Sequence, residues 1–132
     1  MAKLRHLAIA VPDPHKTAEF YMKTFGMERA GYTDSPIAEG VYLTDGTMNL
    51  AILKYKMDKV VGRPEGVKYV GVHHFGFVVD DLDDSRKEIE GNGGQFFLDL
   101  PDQKDTLYYE MKFTDPNGIV FDISHHGWVG TK

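Results

Sequence analysis

The chain contains no cysteine. Disulfide frameworks, thiolate metal sites and cysteine nucleophiles are therefore excluded, and the redox compartment is left open. No uninterrupted apolar run approaches the roughly 18 residues of a membrane helix. Positive charge is also short: 15 Lys and Arg stand against 20 Asp and Glu, a formal net charge of −5. That balance gives no basic footprint for nucleic acid, so neither nucleic acid nor membrane is expected as a partner. The opening MAKLRHLAIAVPDP has a short apolar run without a small-residue cleavage signal. It reads as a strand rather than a leader, and the expected location is the cytoplasm. A small anionic substrate would need local positive charge, as from a metal. The 132 residues, 42% apolar and 27% charged, suit one soluble domain with a real core.

Two of the histidines open matching segments. Aligning His6 with His74 places Leu7-Ala8-Ile9-Ala10-Val11 on Phe75-Gly76-Phe77-Val78-Val79. Asp13 then falls on Asp81 and Thr17 on Ser85. Each strand passes through an acidic turn into a helical segment. The first runs from Pro14 to about Phe25, with Pro at a helix-start position and Ala18, Tyr21, Met22 and Phe25 at helical spacing. The second runs from Leu82 to about Glu90, with Asp81 as N-cap and Gly91 at its end. Strand patterns follow each helix: Met27–Tyr32, Ala38–Thr44 and Met48–Tyr55, then Gln95–Leu98, Leu107–Thr114 and Ile119–Ser124. Asp45-Gly46 and Asp115-Pro116-Asn117-Gly118 read as the turns between them. The expected architecture is α+β. Two βαβββ modules, about 1–57 and 71–132, follow in tandem within a single domain, joined by a linker at 58–70. A four-stranded sheet with one helix leaves one face bare, so the two modules are expected to form a curved mixed sheet around a cavity, helices outside.

Strand alternation then assigns the faces. His6 shares a face with Ala8 and Ala10, and His74 with Gly76 and Val78. The bulky residues Leu7, Ile9, Val11, Phe75, Phe77 and Val79 take the opposite faces and should meet the helices. Small neighbours leave room beside the histidines, so the two imidazoles can meet at one site. In the last strand Asp122 sits among apolar residues on the cavity side, with Phe121 and Ile123 toward the helices. A buried carboxylate needs a cation. Two neutral imidazoles and a carboxylate with open positions suit non-haem iron(II). The bland alternatives are hydrogen-bonded pocket histidines in a metal-free binding protein, and an acid paired with a nearby cation. His73 is expected to be structural. Glu110 is a candidate general base, or simply the ion-pair partner of Lys112. Tyr108 and Tyr109 either orient a substrate oxygen or pack in the sheet. His125, His126 and Trp128 line the cavity mouth or belong to a loose tail, and His15 is solvated.

The segments Leu4–Val11, Phe20-Tyr21 with Phe25-Gly26-Met27, Val72–Val79 and Asp115–Asp122 resemble the vicinal oxygen chelate superfamily. That superfamily includes glyoxalases, extradiol dioxygenases, methylmalonyl-CoA epimerase, and fosfomycin and bleomycin resistance proteins. The resemblance implies metal ligands at His6, His74 and Asp122, although the family usually has Glu at the last position. The fourth family position falls on Ala51, or after a small shift on Leu50 or Asn49, which disfavours a four-ligand glyoxalase-type centre. A three-ligand set resembles the extradiol dioxygenases. The expected function is therefore a metal-dependent enzyme, dioxygenase slightly ahead of lyase or isomerase, acting on a small substrate that chelates through adjacent oxygens. Iron(II) is favoured, with manganese, zinc or nickel as alternatives, and Glu110 and Tyr108 as catalytic candidates. The rival is a metal-free sequestering protein of the bleomycin-resistance type. A homodimer is expected from the habits of such relatives.

Overall fold

The computed structural model describes residues 2–99, 104, 106 and 109–132. In chain order the elements are β1 (Lys3–Ala10), α1 (Pro14–Phe25), β2 (Glu28–Asp34), β3 (Ala38–Thr44) and β4 (Asn49–Tyr55). A short helix α2 (Asp58–Val61) and a 3₁₀ turn (Gly66–Lys68) follow. Then come β5 (Gly71–Val78), α3 (Leu82–Gly91), β6 (Gln95–Asp99), β7 (Met111–Thr114) and β8 (Val120–Ser124). The fold is α+β, with the order βαβββ written twice. Among the described residues, no helix is long and apolar enough to cross a membrane.

Contacts divide the chain into two compact units, one of Leu7–His73 with Val129–Lys132, the other of Met1–His6 with His74–Trp128. In the first unit the strands lie in the order β2-β3-β4-β1. β2, β3 and β4 are antiparallel neighbours, with Tyr42 opposite Ala51. Asp13 caps α1 by accepting from the Lys16 N–H at 3.2 Å, Pro14 supplies the preset first turn, and Gly26 closes the helix at φ +71°. Ala18, Tyr21 and Met22 of α1 pack with Ile9 and Val11 against Val41, Leu43 and Ile52. The bulky face of β1 thus meets its helix, as alternation requires.

In the second unit the order is β5-β8-β7-β6, with β5 and β8 parallel and the other neighbours antiparallel. Asp81 caps α3 through the Asp84 N–H at 2.8 Å. Leu82 and Ile89 of α3 join Phe77 and Phe121 around a core of Val79, Tyr109, Met111, Phe113 and Ile123. Asp115 Oδ1 accepts from the N–H groups of Asn117 and Ile119, which fixes the turn between β7 and β8.

Two expectations shift. The Asp45-Gly46 pair belongs to a four-residue loop, because Asp45 Oδ1 accepts from both Thr47 and Met48 N–H groups before pairing resumes at Asn49. The strand expected over Leu107–Thr114 begins at Met111, and its residues Leu107 and Tyr108 lie outside the described ones. Within 58–70 the chain is not plain coil: Asp58 Oδ1 accepts the Val67 N–H at 2.9 Å and ties α2 to the 3₁₀ turn.

Candidate metal centre

Three strands of the second unit deliver three chemistries to one point. The parallel register sets Gly76 against Asp122, and the antiparallel register sets Lys112 against Asp122. His74, two residues before Gly76, therefore shares the face of Asp122. His74 Nε2 lies 3.0 Å from Asp122 Oδ2. His6 Nε2 lies 3.2 Å from His74 Nε2 and 3.7 Å from Asp122 Oδ2. All three side chains are buried, Asp122 completely. Among the described residues, His6, His74 and Asp122 form the one group of His and acidic side chains whose ligand atoms cluster in this way.

The donor set fits a divalent ion. Two donors at right angles, each about 2.1 Å from one ion, stand about 3.0 Å apart, which is the spacing of the tighter pairs here. The chemistry agrees with the distances. A ring nitrogen carries either one hydrogen or one lone pair. His74 Nε2 nevertheless faces His6 Nε2, Asp122 Oδ2 and, at 3.5 Å, Lys112 Nζ. A hydrogen there suits the carboxylate but meets the ammonium, and a lone pair there suits the ammonium but meets the carboxylate; a single cation among the donors suits both imidazoles and the carboxylate together.

Lys112 is the feature sequence reasoning placed only in part. Its ammonium bonds both oxygens of Asp122 at 3.0 Å and Glu110 Oε1 at 3.3 Å, from a side chain 5% exposed. The expected Glu110 pair exists, but the stronger geometry is with Asp122. A readable signal was present: the turn over residues 115–119 pairs Thr114 with Val120, and counting outward pairs Lys112 with Asp122.

Trp128 was also underrated. Its indole is buried and stacks on His6, centroids 4.5 Å apart and planes 6° apart. Its Nε1–H donates to Glu110 Oε2 at 2.8 Å. The room expected beside Gly76 is filled by this ring: a Cβ on Gly76 would stand 2.7 Å from Trp128 Cη2 and 3.1 Å from His6 Cβ. Glycine is there because the indole lies on the strand.

The other candidates fall elsewhere. His73 receives the Tyr55 hydroxyl at Nδ1, 3.2 Å, and donates from Nε2 to the Val61 carbonyl at 2.6 Å. Ala51 is buried and offers no donor atom, while the Asn49 amide donates to the Val129 carbonyl at 2.9 Å. Tyr109 is in the core cluster, its hydroxyl 3.4 Å from Asp99, and burial with that carboxylate raises its pKa. Tyr108 lies outside the described residues. His125 and His126 are exposed with rings 3.7 Å apart, and His15 is exposed but paired with Glu39 at 3.2 Å.

The sequence profile of the Glyoxalase/Bleomycin resistance protein/Dioxygenase superfamily matches residues 3–123. The chain belongs to that superfamily. No curated protein matches it. Among solved structures, a methylmalonyl-CoA epimerase of Streptomyces coelicolor is 21% identical, with 92% of each chain covered and a TM-score of 0.75. A hypothetical protein of Bacillus halodurans is 18% identical over 92% of each chain, TM-score 0.72. A methylmalonyl-CoA epimerase of Mycobacterium tuberculosis is 17% identical over 91% of this chain and 85% of that one, TM-score 0.69. At such identities these likenesses establish the fold. Within it, the superfamily's metal-dependent type of chemistry has a His-His-Asp group available.

Proposed function

We propose that the protein is a metal-dependent enzyme that moves a proton on a small substrate bearing two adjacent oxygens. The observation that carries the reading is the convergence of His6 Nε2, His74 Nε2 and Asp122 Oδ2, with Glu110 held in the same cluster. A divalent ion held by those three side chains supplies a Lewis acid with positions open to a chelating ligand. The remaining work belongs to the protein. Adjacent strands fix His74 and Asp122 rigidly, so the donors need no reorganisation. Trp128 covers one face of His6 and keeps water from it. Glu110 is the proton carrier: Lys112 holds its Oε1 and Trp128 its Oε2, and a carboxylate so aimed accepts a proton from a substrate carbon and returns it.

This choice places proton transfer ahead of ring-cleaving dioxygenation, which was favoured on sequence. Both use the same three donors, and the Glu110 carboxylate held by Lys112 and Trp128 gives proton transfer at carbon its base. The similarity in fold to epimerases supports the same side. A metal-free binding role is the second reading, and the ammonium already resting on Asp122 is what favours it.

The test is hydrogen–deuterium exchange at the carbon next to the chelating oxygens, followed by NMR. A panel of hydroxy acids, oxo acids and thioesters would be offered to protein loaded with iron(II), manganese, zinc or nickel. Exchange that requires the ion and disappears in Glu110→Gln is the expected result. Oxygen uptake with a catechol panel would move the assignment to dioxygenation. Failure of all four ions to bind would leave the sequestering role.

A further inference from the structure

We infer that Lys112 is a resident second cation of the centre, one that opposes metal loading and makes the loaded centre select substrates carrying net negative charge. The inference rests on the metal reading above and concerns what the ion meets when it arrives. Four acceptor atoms from three residues surround Lys112 Nζ: Asp122 Oδ1 and Oδ2 at 3.0 Å, Glu110 Oε1 at 3.3 Å and His74 Nε2 at 3.5 Å. An ammonium has three hydrogens, so these contacts use them all. An ion on His74 Nε2 takes the lone pair that the ammonium meets there, but both carboxylates still hold Lys112, and its effect on the centre comes from its charge.

The formal charges decide the sign. With both imidazoles neutral, one ammonium faces two carboxylates, and the cluster carries one negative charge in excess. A divalent ion turns this into one positive charge in excess. On an exposed surface solvent would screen the difference. Here Lys112 and Asp122 are almost wholly buried, so like charges a few ångströms apart repel strongly. Two effects of opposite direction follow. Metal binding has to overcome the ammonium, which also engages both oxygens of the carboxylate the ion needs. Once the ion is in place, a ligand that brings a negative charge neutralises the excess. The substrate class is thus a chelating monoanion, such as an α-hydroxy or α-oxo carboxylate, rather than a neutral diol or hydroxyketone.

The test compares wild type with Lys112→Met, Lys112→Gln, Glu110→Gln and His6→Ala. Manganese and zinc affinities are measured by calorimetry. Binding of glycolate and of neutral hydroxyacetone to the manganese-loaded proteins is followed by water-proton relaxation. Lys112→Met and Lys112→Gln are expected to bind the ions on the order of tenfold tighter and to lose about tenfold of the preference for glycolate. Glu110→Gln leaves Lys112 in place and is expected to move both quantities the other way, so the inference does not depend on the lysine variants folding. Unchanged or weaker metal binding in the lysine variants, or an unchanged glycolate preference, overturns it. An ion bound by Lys112→Gln but not by wild type supports the lysine's role while overturning the enzyme reading. Ion binding by wild type that survives His6→Ala overturns both.

Discussion

His73 and His74 are neighbours on β5, equally buried, and their surroundings differ in kind. His73 has one hydroxyl on one ring nitrogen and one carbonyl on the other, the complement of a neutral imidazole. His74 has an imidazole, a carboxylate and an ammonium on a single nitrogen. Strand alternation sends the two rings to opposite faces, and each face gives its ring a different task. A buried histidine with matched partners is part of the fold. One with more partners than its hydrogen or lone pair can serve is the one we propose as a metal ligand.

The largest effect on stability is expected from Asp122→Asn, which takes the carboxylate from His74 and leaves the buried Lys112 with one carboxylate, Glu110, in place of two. Breaking a buried charge pair from one side costs about 3–5 kcal/mol. Urea denaturation should show that loss, while the ring resonances of His73 stay where they were. A shift of both histidines would erase the distinction drawn between them.

His73→Ala comes next. It removes the ring nitrogens that meet the Tyr55 hydroxyl and the Val61 carbonyl and opens a cavity, for about 2–4 kcal/mol in total. Metal affinity should survive in whatever fraction folds. Loss of metal binding by folded His73→Ala would make the pair a single functional unit.

Gly76→Ala sharpens the His74 side, because the new methyl meets the Trp128 ring at 2.7 Å. Overpacking of this kind costs about 1–3 kcal/mol. The fluorescence of the single tryptophan should report the displaced ring, and thermal melting the cost.

The smallest effect belongs to the unit that holds His73. The Met48 and Thr47 N–H groups on Asp45 lower its pKa from the ordinary 3.8. A depressed carboxylate stabilises the fold above its unfolded value and loses that contribution as pH falls through the lowered one. Asp45→Ala should therefore lower stability slightly at neutral pH, leave the acid extreme nearly unchanged, and so flatten the acid limb between them. An unaltered acid limb would show that the turn holds without the carboxylate's charge.

Much of this was legible in the residues. α1 was expected from Pro14 to about Phe25, on the proline and the helical spacing, and the structure adds the Asp13 cap and the left-handed Gly26 that bound it. The repeat put His6 and His74 at equivalent places because a two-residue period needs no tertiary knowledge. What escaped was set by distance along the chain. Trp128 stacks on a residue at the far end of the sequence, and nothing local in Gly-Trp-Val marks it for His6. Gly76 looked like open space, because a missing side chain does not say what fills the gap. Lys112 was assigned to Glu110 by same-face spacing. Its closer partnership with Asp122 is a matter of cross-strand register, which the turn would have disclosed had the register been counted.

The central claim is that the crowded nitrogen of His74 is a metal ligand and the satisfied ring of His73 is not. Equilibrium dialysis with elemental analysis of wild type, His74→Ala and His73→Gln tests it most directly. The account predicts one divalent ion per wild-type chain and per His73→Gln chain. In His74→Ala the affinity should fall further than the roughly 10- to 100-fold that loss of a supporting partner costs. Equal binding by wild type and His74→Ala, or no ion bound by wild type under any loading, would contradict it.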